Sequence, residues 1–125
     1  MKPHKNLLCW QESFKLAIDL YKITKDFPND EKFGITSQIR RASSSVPINI
    51  SEGVARNSSR EFAQFHYIAL GSLSELDTLL LLCIELGYIK KEIADNHLIE
   101  MERISKLIIG LIKKVKIDSK QKSEK

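Results

Sequence analysis

The sequence predicts an all-α fold, an antiparallel up-down-up-down four-helix bundle, and three observations carry that expectation. Four separate segments place apolar residues at alternating spacings of three and four, few segments alternate with period two, and prolines and glycines are scarce, with three and five in 125 residues. A chain of this length forms one domain around one core.

The first segment runs from about Trp10 to Phe27. Leu7, Trp10, Phe14, Ala17, Tyr21 and Thr24 form its expected core stripe, widened by Leu20 and Phe27. Pro28, Asn29 and Asp30 then turn the chain, because the residue before a proline is pushed out of helical geometry. The second segment sets Ile35, Ile39, Ala42, Val46 and Ile50 on one stripe. Pro47 interrupts it. The ring lacks the N–H that would bond the Ser43 carbonyl, at about 3 kcal/mol if nothing compensates, and Ser43, Ser44 and Ser45 are expected to offer hydroxyls to freed carbonyls. One helix kinked near Pro47 and reaching about Arg56 is the expected form, with two shorter helices as the alternative.

Ser58 and Glu61 stand three apart as a capping box and open the third segment. It continues to Leu86 with Phe65, Ala69, Ser72, Leu76, Leu79, Cys83 and Leu86 on a heptad seam and Phe62, Leu73 and Leu80 beside it. Gly87 closes it at the position that favours a left-handed residue. The fourth segment spans about Lys91 to Lys116, with Ala94, His97, Met101, Ile104, Ile108, Leu111 and Val115 on its seam and Leu98, Leu107 and Ile112 flanking. Residues 1–117 are thus expected to form the bundle, and the polar, low-complexity residues 118–125 a disordered basic tail. The apolar stripes of the third and fourth segments are wider than a monomeric bundle needs, which predicts self-association.

Charge is unevenly placed. From Lys113 to Lys125 six lysines face only Asp118 and Glu124, so this stretch carries the whole net charge of +4 and the preceding 112 residues balance to zero. Four of the five arginines, Arg40, Arg41, Arg56 and Arg60, fall in twenty-one residues with one acid, Glu52. Residues 61–112 hold four basic against eight acidic groups. Such an arrangement fits charge-complementary packing as well as it fits RNA binding. The first eight residues hold an apolar run of only two, Leu7 and Leu8, against the roughly 7–15 of a secretory signal. The longest internal apolar run, residues 79–84, is far from the ~20 that span a bilayer. The expected compartment is the cytoplasm, with Cys9 and Cys83 free thiols on apolar faces.

Catalytic signatures are sparse. A bundle di-metal site needs a Glu three residues before a His on two helices, but Ala63 precedes His66 at that distance and Ala94 precedes His97. His97 therefore reads as a half-buried packing residue, and no metal or cofactor is expected. The glycines are isolated, no serine sits in a nucleophile elbow, and neither cysteine has a nearby histidine in sequence. An enzyme is not expected. The densest polar constellation is Asn49, Glu52, Gly53, Arg56, Ser58 and Glu61. Asn49, Glu52 and Arg56 share one helical face, and Glu52 with Arg56 is an acid–base pair in the favoured order. One reading is a polar network pinning the turn between the second and third helices, with Gly53 allowing a close backbone approach. The other is an RNA or partner site. Candidate nucleic-acid contacts are Arg40, Arg41, Arg56, Arg60, Lys113, Lys114 and Lys116.

These residues also carry a family pattern. Trp10, Ala17, Tyr21 and Phe27-Pro28 belong to it, as do Phe33-Gly34-Ile35, Gln38-Ile39-Arg40-Arg41-Ala42 and Val46-Pro47. Asn49-Ile50-Ser51-Glu52-Gly53, Arg56, Ser58, Glu61-Phe62, Gly71-Ser72-Leu73, Glu75-Leu76 and Leu86-Gly87-Tyr88-Ile89 continue it. From Trp10 to about Leu111 the chain resembles the bacterial four-helix bundle proteins encoded in intervening sequences of 23S ribosomal RNA genes. Ser51 stands where that family usually has alanine, and Asp77 where glutamate is commoner. The resemblance implies an antiparallel four-helix bundle and a ring-like homopentamer. The chain is similar, too, to the accessory protein of diversity-generating retroelements, a pentameric bundle that contacts nucleic acid and a reverse transcriptase. The expected function is a non-enzymatic oligomeric module that binds RNA or DNA through basic residues, with a protein-interaction scaffold as the alternative. The expected partners are further copies of the chain and a nucleic acid, without a membrane or small-molecule substrate.

Overall fold

The computed structural model describes the backbone of residues 3–124 and the side chains of residues 4–121. Four helices carry the fold: α1 (Leu8–Thr24), α2 (Ile35–Val54), α3 (Ser59–Glu85) and α4 (Lys91–Glu124). Short 3-10 turns lie at Pro3–Asn6 and Asn29–Glu31, and no strand occurs among the described residues. Contacts join α1 to α2, α2 to α3, α3 to α4 and, most lightly of these, α4 back to α1, so the four helices enclose one core. The pairings run in opposed order. Thr24 near the end of α1 meets Arg40 near the start of α2, while Tyr67 and Ser59 early in α3 meet Lys116 and Ser119 late in α4.

The α2 stripe predicted from spacing is the α2 core. Ile35, Ile39, Ala42, Val46 and Ile50 are all buried, against Leu16 and Leu20 of α1, Leu76 and Leu80 of α3, and Ile104 and Ile108 of α4. Helix α2 passes through Pro47 as one continuous element. The serines act differently from expectation: Ser43 and Ser44 donate to the Arg40 carbonyl, a turn before the one that Pro47 frees. These hydroxyls lie closer to the carbonyls behind them, the usual back-bonding of helical serine.

Helix α1 is rotated from its predicted stripe. Its buried residues are Cys9, Ser13, Leu16, Ala17, Leu20 and Thr24, whereas Phe14 and Tyr21 are 46% and 41% exposed. The cause is local. Ser13 donates to the Trp10 carbonyl and Thr24 to the Leu20 carbonyl, so both hydroxyls are satisfied by their own helix and enter the core at little cost. Trp10, partly buried against the core, stacks at 5.0 Å on Phe14, which faces outward.

Both ends of α3 follow their chemistry. The Ser58 hydroxyl accepts the Glu61 N–H at 3.1 Å. Gly87 adopts φ 75°, the Tyr88 N–H bonds the Cys83 carbonyl, and the Gly87 N–H bonds the Ile84 carbonyl, which caps the last turn. Within α3 the heptad seam holds at Ala69, Leu76, Leu79 and Cys83, but Leu86 is exposed and the buried set takes in Ala63 and His66. By length and mean hydropathy α3 could cross a bilayer. A core helix in a soluble bundle passes the same test, and one stripe of α3 is buried against its neighbours.

Helix α4 does not stop at Ile117. Its backbone stays helical to Glu124, where composition alone suggests a disordered tail. No glycine or proline follows Gly110, and Ser59 donates to Ser119 at 3.1 Å, which holds this last stretch against α3. The side chains of Lys122, Glu124 and Lys125, part of the expected tail charge, lie outside the described residues.

Candidate functional site

The four arginines close in sequence separate in space. Arg40 reaches back to α1, donating from Nε to Thr24 Oγ1 at 2.9 Å and from Nη2 to the Tyr21 carbonyl at 3.2 Å, with its guanidinium over the Tyr21 ring. It thereby caps the carbonyl end of α1, where a positive charge is favoured. Arg41, one residue on and turned about 100° around the helix, points to α3 and pairs with Glu75. Arg56 pairs with Glu52 at 3.2 Å and lies over Phe65 at 4.6 Å. These three therefore spend charge within the chain. The Arg41–Glu75 pair joins the basic second quarter to the acidic second half, as the charge pattern allows.

Arg60 is different. It lies exposed at the start of α3, in a shallow depression shared with Ser59, Ala63, Gln64, Tyr67 and Lys116. Lys116 Nζ donates to the Tyr67 hydroxyl at 3.0 Å and sits 5.4 Å from that ring's centre. Residues 56 positions apart in sequence thus combine two cations and an aromatic face. Tyr67 carries no sequence signal beyond its amphipathic type; only the pairing of α3 with α4 reveals it. Lys113 is exposed one turn before Lys116, on the same side of α4, whereas Lys114 turns toward Leu7 and Leu8 at the start of α1.

The expected polar network resolves into three separate devices. Asn49 donates to the Ser45 carbonyl and hydroxyl at 2.8 and 2.9 Å, and Ser45 exchanges a hydrogen bond with Ser72 at 2.9 Å across to α3. Glu52 and Arg56 form the ion pair already described, while Ser58 and Glu61 form the cap. Gly53 does allow a close approach, and its partner is His66. A Cβ at position 53 would stand 2.6 Å from His66 Nδ1 and 2.7 Å from Cε1. The His66 ring is fully buried, stacks on Phe62 at 4.0 Å and bonds the Phe62 carbonyl through Nδ1 at 2.8 Å. Burial holds its pKa below the ordinary value, so a neutral ring is favoured, while Nε2 has no partner.

Cys9 and Cys83 are free and buried, and desolvation pushes both thiols up to about 11. Neither offers a thiolate near neutral pH.

A second feature is apolar. Trp10, Phe14, Ile18 and Tyr21 of α1 and Pro47 and Ile48 of α2 line an open groove on the outside of the bundle. Across the molecule, Leu81, Leu82 and Leu86 of α3 and Ile93, Ile99 and Ile109 of α4 are exposed as well. The exposed apolar residues of α3 and α4 thus belong to other helices than those that line the groove.

A four-helix bundle with unmatched apolar flanks and one basic, aromatic depression is the class of protein described so far. The chain belongs to the 23S rRNA-intervening sequence protein family, whose model matches residues 5–110. Its fold is similar to the 1.70 Å crystal structure of a protein of unknown function from the S23 ribosomal protein family of Bacteroides thetaiotaomicron. The identity is 29% and the TM-score 0.78, over 85% of this chain and 96% of that one. No curated protein matches the chain significantly.

Proposed function

We propose that this chain is a non-catalytic, cytoplasmic, self-assembling helical module whose assembled form binds RNA or DNA through the Arg60–Lys116–Tyr67 depression. The observation that supports assembly most is the pair of unlike apolar flanks. One self-complementary patch makes a two-fold dimer; two different patches that fit one another make a head-to-tail contact, which closes into a ring when its rotation divides the full turn and otherwise grows as a filament. The homopentamer implied by the resemblance is such a ring. Burying Phe14, Ile48 and their neighbours against the next copy removes apolar surface from water, at about 25 cal/mol per Å².

For nucleic acid the carrying observation is that Arg60 and Lys116 have no carboxylate partner among the described residues, whereas Arg41 and Arg56 are paired with glutamates and Arg40 is spent on the carbonyl end of α1. Repeated around a ring, the depression would present phosphate contacts with an aromatic face beside each, and Lys113 would extend each one. Binding of that kind is sequence-tolerant and falls steeply with salt, because it is driven by counterion release.

A gel-shift with a generic RNA at two salt concentrations tests this reading. Affinity is expected to drop strongly at the higher salt and to drop again in the Arg60→Ala, Lys116→Ala double variant, while Arg41→Ala leaves it unchanged. No shift even at low salt would leave the scaffold reading in place. That second reading is favoured by the three arginines already engaged inside the chain.

A further inference from the structure

We infer that Asp19, His97 and Glu100 form a binding site for a divalent transition-metal ion of the zinc type, clamping α1 to α4. One ligand atom from each of the three lies within 4.8 Å of the others, drawn from two helices that contact each other lightly. His97 and Glu100 stand three residues apart on α4, so they project from one face onto the same patch of α1. The spacing is the reverse of the Glu-x-x-His order of bundle metal sites, and the third ligand comes from a residue 78 positions away.

Each group is short of a partner. His97 Nδ1 is buried without a hydrogen bond, in a side chain only 12% exposed, and its nearest carboxylate oxygen is Glu100 Oε1 at 3.6 Å. That gap exceeds a hydrogen bond. Asp19 has no hydrogen-bond or ion-pair partner among the described residues and is half-buried. A divalent cation would satisfy all three, neutralising two carboxylates and taking the nitrogen's lone pair. An imidazole with two carboxylates suits zinc or a neighbouring transition metal; magnesium and calcium prefer oxygen alone. Bonds of about 2.0–2.2 Å put tetrahedral ligands about 3.3 Å apart, so the side chains would close by at most about 1.5 Å, and a fourth position stays open. On the same seam Glu12 has its charge met by Arg103 at 2.8 Å through Oε1, although its Oε2 is also without a partner, whereas Asp19 meets no cation among the described residues.

Calorimetric titration of the purified chain with zinc chloride, alongside thermal unfolding, tests the site. The expected result is saturation at one ion per chain with a rise in Tm, and no rise with magnesium. Asp19→Asn and His97→Gln should each weaken zinc binding by at least the roughly 10–100-fold that loss of an outer-shell partner costs. In the unmodified chain, zinc should shift the His97 ring resonances and leave those of His66 and His4 in place, which requires no variant to fold. Absence of saturable binding, zinc affinity unchanged in both variants, or a response confined to His4 would overturn the proposal.

Discussion

Between α2 and α3 the helices are brought together by a missing side chain: Gly53 leaves the space that the His66 ring fills, and Ser45 and Ser72 meet a few turns along. Between α1 and α4 contact is lighter, and charged groups line the rim of the seam, with Glu12 on Arg103 and Asp19 beside His97 and Glu100. The first seam is steric and tolerates little change. The second carries partly exposed charges at its rim, which salt screens.

Four changes separate the seams, from the largest effect to the smallest. Leu76→Ala, at a fully buried α3 position, should lower stability by about 2–5 kcal/mol in urea unfolding. Gly53→Ala should cost about 1–3 kcal/mol even though alanine favours helices, because the new methyl meets a ring that has nowhere to go. A gain in stability from that variant would show that the approach of α2 to α3 is looser than described.

The third is acid sensitivity. Burial holds the His66 pKa below its ordinary 6.5, so the unfolded chain takes up the proton more readily. The stability that the neutral ring contributes is full above about pH 6.5 and declines as pH falls below it. His66→Gln should flatten that decline when urea midpoints are compared at pH 7 and pH 5. The smallest effect belongs to the other seam: Arg103→Ala removes a pair whose arginine is 60% exposed, and should cost under about 1 kcal/mol, less still in high salt.

Much of this was legible in the residues. The α2 stripe reads directly because Ile35, Ile39, Ala42, Val46 and Ile50 fall on one face with no second apolar stripe to compete, even though Thr36 and Ser43 are buried and Ile48 is exposed. The Ser58 cap, the Gly87 stop and the family pattern from Trp10 to about Leu111, against a matched span of 5–110, are equally local signals. Helix α1 misleads because two apolar stripes compete at the same spacing, and only docking decides that Ser13 goes in and Phe14 stays out. The arginine cluster is close in sequence and not in space, because adjacent helical residues point about 100° apart. Asp19 beside His97, and Tyr67 beside Lys116, join distant segments whose pairing register no single helix states.

Assembly is the proposal on which the ring-borne nucleic-acid contacts depend. Native mass spectrometry of the unmodified chain should give a species of five times the chain mass. Ile48→Glu, which sets a carboxylate on the α1–α2 groove at a position 55% exposed, should return it to one chain with helicity intact. A single-chain mass for the unmodified protein at every concentration, or a ring untouched by Ile48→Glu, would contradict it.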